Sequence, residues 1–246
     1  MLPALYDRLV PWYYLLDATA DHAEEAAVFA AGFREVIGPG PATLLELGAG
    51  AGNNAWFLKR EFACTLGDLS PAMLTLSQAL NPECAHVVGD LRTLRLGQAF
   101  DAVLIHDAIA YVTTEADLRA AAATAFAHTR PGGAAIIAPD CTRETFVEQS
   151  ALHEGADGER ALRCLEWMWD PDPADTSYTV EYAFLLRDGA AIEAVHDRHV
   201  EGLFPRATWV RVFTEAGFVV GDLARPLGDG TIEAFADQVF LCRRPA

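Results

Sequence analysis

Gly48, Gly50 and Gly52 follow directly on the apolar run Thr43-Leu44-Leu45-Glu46-Leu47. Glycine in such a place lets a ligand approach the backbone without meeting a Cβ. Glu46 stands two residues before the first of them. A carboxylate there would repel a pyrophosphate but would accept an α-ammonium group. Asp68 and Asp90 end the next two apolar runs. A carboxylate at the first position can accept from both hydroxyls of a ribose, and one at the second from an exocyclic amine of adenine. Together these acids and glycines describe a nucleoside site that needs no phosphate. The related dinucleotide loop has the form Gly-x-Gly-x-x-Gly. Here the third glycine comes one residue early, and Asn53 takes the place of the last one.

Alternating strands and helices position these residues. Ala23, Ala26, Ala27, Ala30 and Phe33 recur at helical spacing over 18–37, and Gly38-Pro39-Gly40-Pro41 stops that helix. Strands are expected over 43–47, 62–67, 84–88, 100–105 and 134–138, with helices over 53–60 and 115–129. Another helix opens at the N-cap Ser70 with Pro71 behind it and runs to Leu80. Such βαβ units imply an α/β fold, a Rossmann-like seven-stranded, mostly parallel sheet whose strand C-termini share one ligand-binding edge. After Pro139 the pattern becomes longer strands at 162–168, 178–187 and 191–203, with Tyr178, Val180, Tyr182 and Phe184 alternating at period two. This reads as an antiparallel β cap inserted at 141–204. A helix over 206–216 and a hairpin of strands 217–223 and 237–243 then complete the main sheet. The expected division is an N-terminal helical lid at 1–41, a core at 42–140 and 205–246, and the cap between.

The chain has 246 residues and a formal net charge of −17. That charge repels phosphate backbones and anionic lipids, so neither nucleic acid nor a membrane surface is an expected partner. Cys64, Cys84, Cys141, Cys164 and Cys242 lie far apart, which argues against a zinc site and suits reduced thiols. Met1 to Asp17 lacks a basic leader region, and Pro11 breaks its apolar run. The expectation is a cytoplasmic protein acting on a small soluble molecule, with no metal, alone or as a homodimer.

The segment Glu46-Leu47-Gly48-Ala49-Gly50-Ala51-Gly52 resembles motif I of class I S-adenosylmethionine-dependent methyltransferases. Asp68, Gly89-Asp90-Leu91, Phe100-Asp101-Ala102-Val103 and Arg130-Pro131-Gly132-Gly133 match the later motifs of that family in order. The resemblance implies S-adenosylmethionine as cofactor. By it, Gly48, Ala49, Gly50, Gly52 and Asn53 lie against the methionine part and Glu46 supports its ammonium. Asp68 binds the ribose, Leu69 packs on adenine, Asp90 with the Leu91 backbone reads the adenine edge, and Met73 belongs to the same cofactor-binding set. His106, after the fourth strand, sits near the sulfonium. A narrower resemblance, carried by Tyr6-Asp7 and His199-Val200-Glu201-Gly202-Leu203-Phe204, is to the N-methyltransferases that dimethylate nucleotide-linked amino sugars in antibiotic biosynthesis.

Methyl transfer to an amine is an in-line displacement that rests on positioning, whereas a hydroxyl acceptor needs a base. His106 is the candidate for that base, with a wall residue as the plainer alternative. Tyr111 and Tyr14 are further candidates for orienting an acceptor, each also suited to core packing, as is Tyr13. His196 and His199 stand beside Asp197 and Glu201 on a cap strand and could supply a base or two metal ligands; no third ligand has suitable spacing, so surface or packing roles are the plainer reading. Trp167 and Trp169 share one face of a cap strand. The competing readings are an O-methyltransferase, a non-catalytic cofactor-binding member of the fold, and an NAD-dependent oxidoreductase.

Overall fold

The computed structural model describes residues 2–223, 225–226, 232–233 and 239–246. The chain opens with short 3-10 turns at Ala4–Tyr6 and Val10–Trp12, helix α1 (Tyr13–Leu16) and a 3-10 turn at Thr19–His22. Helix α2 (Ala23–Ile37) follows and ends at Gly38, whose φ of 74° is a glycine conformation. Then come β1 (Thr43–Leu47), α3 (Asn53–Leu58), β2 (Ala63–Asp68), α4 (Pro71–Leu80), β3 (Ala85–Val88) and β4 (Phe100–His106). A 3-10 turn at Ala108–Tyr111 leads to α5 (Glu115–His128) and β5 (Thr129–Ala138). Ser70 caps α4 as its residue type predicts, its hydroxyl accepting from the Met73 amide at 3.1 Å.

The cap has four strands rather than three: β6 (Gln149–Asp157), β7 (Arg160–Trp169), β8 (Ser177–Asp188) and β9 (Ala191–Gly202), antiparallel in that order. Helix α6 (Arg206–Glu215) returns the chain to the core, followed by β10 (Val219–Asp222), a two-residue ladder of β11 (Arg225–Pro226) with β12 (Ile232–Glu233), and β13 (Phe240–Arg243). The strand expected over 237–243 begins on residues 237–238, which lie outside the described residues.

The main sheet has the order β10-β13-β5-β4-β1-β2-β3. β13 runs antiparallel to both β10 and β5, and the remaining pairings of the sheet are parallel. The connections diverge at β1, so the glycine loop lies where an open α/β sheet binds ligands. Alternation along the strands sends Leu45, Leu47, Val103 and Ile105 to the face covered by α5 and α6. Leu44, Ala102 and Leu104 go to the face covered by α2 and α3, where Phe29 and Phe33 pack. Glu46 and His106 follow Leu44 and Leu104 by two, so period two puts both on the α2 side.

The cap's inner face buries Leu162, Cys164, Phe184, Leu186 and Val195 against Leu5 and Leu9 of the first turns. Gly155 of β6 is pressed onto α1: a Cβ there would lie 2.0 Å from the Leu15 carbonyl oxygen. Arg160 donates to the Pro11 carbonyl and stacks 4.3 Å over the Trp12 ring. The N-terminal residues are thus a strap held between cap and sheet edge.

Candidate active site

A cavity of about 330 Å³ opens at the ends of β1 to β4, beneath the strap. That is a size suited to a small-molecule ligand. Of the residues singled out from the sequence, Glu46, Gly48, Ala49, Gly50, Asn53, Asp68, Leu69, Asp90, Leu91, His106 and Tyr111 line it. Gly52 and Met73 are not among the lining residues. Gly52, at φ 78°, caps α3 and packs on α4, where a Cβ would meet Ser77 Oγ at 2.4 Å. Met73 is fully buried beneath Gly50. The Tyr14 hydroxyl donates to the Ala51 carbonyl at 3.1 Å, and its neighbour Tyr13 lines the cavity instead.

The loop is drawn tight by its own backbone. The amides of Gly48 and Ala49 both donate to the Gly67 carbonyl, at 2.7 and 2.9 Å. Asp68 accepts from the Gly50 amide at 2.8 Å and from the Ser70 amide at 2.7 Å. Its carboxylate therefore splints the loop to the end of β2 and keeps further lone pairs for a ligand. Asp90 is gripped by Arg92, whose Nη2 lies 2.6 Å from its Oδ2, and this bond holds its carboxyl below the usual range. Glu46 differs from both. It is buried, its Oε2 has no hydrogen-bond partner, and burial pushes its carboxyl up to about 8. A shut-away carboxylate without a partner is costly unless something completes it.

His106 is bound on every side. Its Nε2 lies 2.9 Å from Glu25 Oε2 and 2.8 Å from Asp107 Oδ1. Its Nδ1 faces the Asn54 side-chain amide at 3.2 Å. Burial opposes the cation, but Asp107 and Glu25 outweigh it and raise the imidazole well above its ordinary value. Neither ring nitrogen is left to take a proton from a ligand. Asp107 itself has φ 46°, a left-handed backbone unusual for a side-chain-bearing residue. Glu25 also reaches His22, which binds Asp17 at 2.7 Å, and Asp17 accepts from Asn53 at 2.9 Å. This chain of charges ties the strap to the loop. Sequence reasoning missed Asp17, His22 and Glu25, because nothing in their local spacing separates them from a solvated helix start.

A second polar cluster descends from the cap. Tyr111 Oη lies 2.7 Å from His199 Nδ1 and 2.9 Å from the hydroxyl of Tyr6, another residue of the cavity wall. His199 Nε2 lies 3.1 Å from Asp197 Oδ2, which also accepts the Leu5 amide at 2.8 Å. His199 is therefore buried and networked rather than a surface residue. His196 does lie outside, paired with Glu181 at 2.6 Å. Asp140 and Glu201 form an acidic cluster with Asp107, and Glu201 accepts from the Tyr178 hydroxyl. Loss of hydration among neighbouring acids, Asp107 and Glu201, raises Asp140, and burial lifts Glu201 to about 7. Trp167 and Trp169 stack on each other at 5.8 Å, and neither is among the cavity-lining residues. Among the described residues no group of three or more ligating side chains could hold a metal ion, and no helix is long and apolar enough to cross a membrane.

The cavity suits a cofactor carrying an ammonium and a nucleoside: Glu46 offers an unpartnered carboxyl oxygen, and Asp68, Leu69 and Leu91 line the same cavity. Comparisons with known proteins agree. Residues 44–133 match the model of a methyltransferase domain. The chain is 30% identical over 212 residues to the dTDP-3-amino-3,4,6-trideoxy-alpha-D-glucopyranose N,N-dimethyltransferase of Streptomyces venezuelae, covering 84% of this chain and 87% of that one. The fold superposes on the crystal structure of Streptomyces venezuelae DesVI with a TM-score of 0.81 at 26% identity, over 97% of this chain and 98% of that one. For S-adenosylmethionine-bound CalS10, an amino pentose methyltransferase from Micromonospora echinaspora, the TM-score is 0.74 at 26% identity, over 90% and 91% of the two chains.

Proposed function

The chain belongs to the S-adenosylmethionine-dependent methyltransferases, in the family of these sugar N-methyltransferases, and from that premise we propose that its acceptor is the amine of a nucleotide-linked amino sugar. The cofactor supplies a methyl group already activated for in-line displacement. The chain's part is to bind, orient and dry the reactants. Glu46 accepts the ammonium of the methionine moiety, Asp68 the ribose hydroxyls, and Asp90 with Leu91 the adenine edge. The strap of Tyr6, Tyr13 and Asp17 closes over them.

The observation that favours nitrogen over oxygen is the engagement of both His106 ring nitrogens. A hydroxyl acceptor needs a strong base at the strand end, and this one is spent on holding Glu25 and Asp107. Asp107 meanwhile puts an acidic group on that end of the cavity wall, where it draws a cationic amine. The charge of −17 and the five free thiols support a cytoplasmic enzyme without a nucleic-acid partner. A homodimer formed through the exposed apolar side chains of the cap, Leu152, Leu165 and Leu185, would suit its outer face.

The test is mass spectrometry of a dTDP-linked amino sugar, and of its hydroxyl analogue, after incubation with the enzyme and cofactor. The amine should gain one and then two methyl groups and the analogue none; methylation of the analogue alone would reverse the assignment. His106→Asn should keep turnover within roughly tenfold. A loss of about 10²–10⁴-fold at normal cofactor affinity would restore His106 as a base.

A further inference from the structure

We propose that Tyr111, His199 and Asp197 form a relay that carries the proton of the acceptor amine away from the cavity. This rests on an amine being the acceptor. Each methyl transfer to an amine leaves one proton to dispose of, and a second transfer to the same nitrogen cannot begin while that nitrogen is protonated. Tyr111 is the wall residue placed to receive this proton. Tyr111 lines the cavity, and its hydroxyl lies 2.7 Å from His199 Nδ1 and 2.9 Å from the Tyr6 hydroxyl; its one hydrogen can go to either, and the relay uses the bond to His199. Asp197 fixes the direction of the relay. As a carboxylate it only accepts, and it lies 3.1 Å from His199 Nε2, so the ring carries its hydrogen on Nε2 and keeps Nδ1 as an acceptor. The Leu5 amide, bonded to the same carboxylate oxygen, holds Asp197 in place.

The groups facing His199 come from every element around it. They are Tyr6 on the strap and Tyr111 on the turn after β4, Tyr182 on β8, Asp197 on its own strand, and Glu166 on β7. The His199 side chain is fully excluded from solvent, and burial lowers its pKa despite Asp197 and Glu166. The ring is therefore neutral and able to accept at neutral pH. Tyr111 is held the other way, its phenol raised by burial, so it passes a proton on rather than storing a charge.

In the step, an N–H bond of the ammonium breaks as a new O–H bond forms on Tyr111. The original Tyr111 O–H bond breaks as the Nδ1–H bond of His199 forms. The amine recovers its lone pair, His199 becomes a cation facing Asp197, and nothing is oxidised or reduced. The proton returns through Tyr111 to water when the product leaves. A weakly basic histidine suffices for an ammonium but not for an alcohol, which agrees with the choice of nitrogen.

The test compares His199→Gln and Tyr111→Phe with the parent enzyme across pH, on a dTDP-linked amino sugar. The relay predicts a fall in kcat on the order of 10²-fold near pH 7, recovering towards the parent near pH 9, where the amine arrives unprotonated. It also predicts a larger share of singly methylated product, with cofactor affinity unchanged. A loss uniform in pH, or none in a folded variant, would overturn it. The second readout needs neither substrate nor a stable variant at position 199. Nitrogen NMR of the parent protein without cofactor should show His199 neutral at pH 7, protonated at Nε2, with an Nδ1 signal that moves in Tyr111→Phe. A charged ring, or a hydrogen on Nδ1, would refute the relay. Failure of every amine to be methylated while the NMR result holds would count against the acceptor class and not against the Tyr–His–Asp geometry.

Discussion

A carboxyl group shut away from water and given no partner, as Glu46 Oε2 is, holds its proton near neutral pH. Pairing with an ammonium must then expel that proton. Calorimetry of S-adenosylhomocysteine binding at pH 7, in buffers of different ionisation enthalpy, should report release of close to one proton. Glu46→Gln should abolish the release and weaken binding by roughly 1.5–3 kcal/mol, the usual worth of a charged hydrogen bond. Equal proton counts for parent and variant would show that Glu46 does not meet the ammonium. His22 offers a complementary experiment. Burial opposes its cation, but Asp17 and Glu25 prevail and raise it to about 10. A cation favoured by folding stabilises fully below the ordinary histidine value near 6.5, and that stability fades as pH climbs towards 10. From pH 6.5 to 9 the parent should therefore lose ~1–2 kcal/mol more than His22→Gln, after allowing for solvent screening. Urea unfolding at several pH values measures it, and parallel curves would remove His22 from the account.

Among the elements, the contact of β6 with α1 controls the roof of the cavity. A methyl group on Gly155 would press into the Leu15 backbone, which has no flexible end to move aside. Gly155→Ala should separate strap from cap, lower the melting temperature by several degrees, and expose residues 2–22 to proteases that spare the parent. Unchanged proteolysis would mean that the strap is held elsewhere. β6 is also the element least legible in the sequence. Its run Gln-Ser-Ala-Leu-His-Glu-Gly-Ala-Asp is mostly exposed along a sheet edge, so no alternation of apolar residues marks it. The core strands were legible because each is an apolar run bounded by glycine, proline or a capping residue. The glycine loop and its three acids were legible for a related reason: strand, turn and acid are neighbours in sequence. The network of Tyr111 and His199 was not, since 88 residues separate them and only the docking of cap on core joins them. Tyr13 and Tyr14 are not separable in the sequence, because two adjacent aromatics on so short a helix carry no period to say which one faces inward.

For the molecule as a whole, the charge of −17 is spread over one compact body and repels itself. Moving from very low salt to about 0.5 M should raise the melting temperature by a few degrees, since screening relieves that repulsion. A fall would point instead to stabilising ion pairs such as those joining Glu115, Arg119 and Arg211. The strap and the cap meanwhile meet at several places, among them Leu5 with Asp197, Arg8 with Glu193, Pro11 with Arg160 and Leu15 with Gly155, although well over a hundred residues lie between the members of each pair. A crossover between related genes that replaced the cap alone would set an unfamiliar sheet against the resident strap. Exchange of acceptor preference by recombination must therefore carry both stretches of the gene together, and lineages that diversify their acceptors should show the two ends inherited as a matched set.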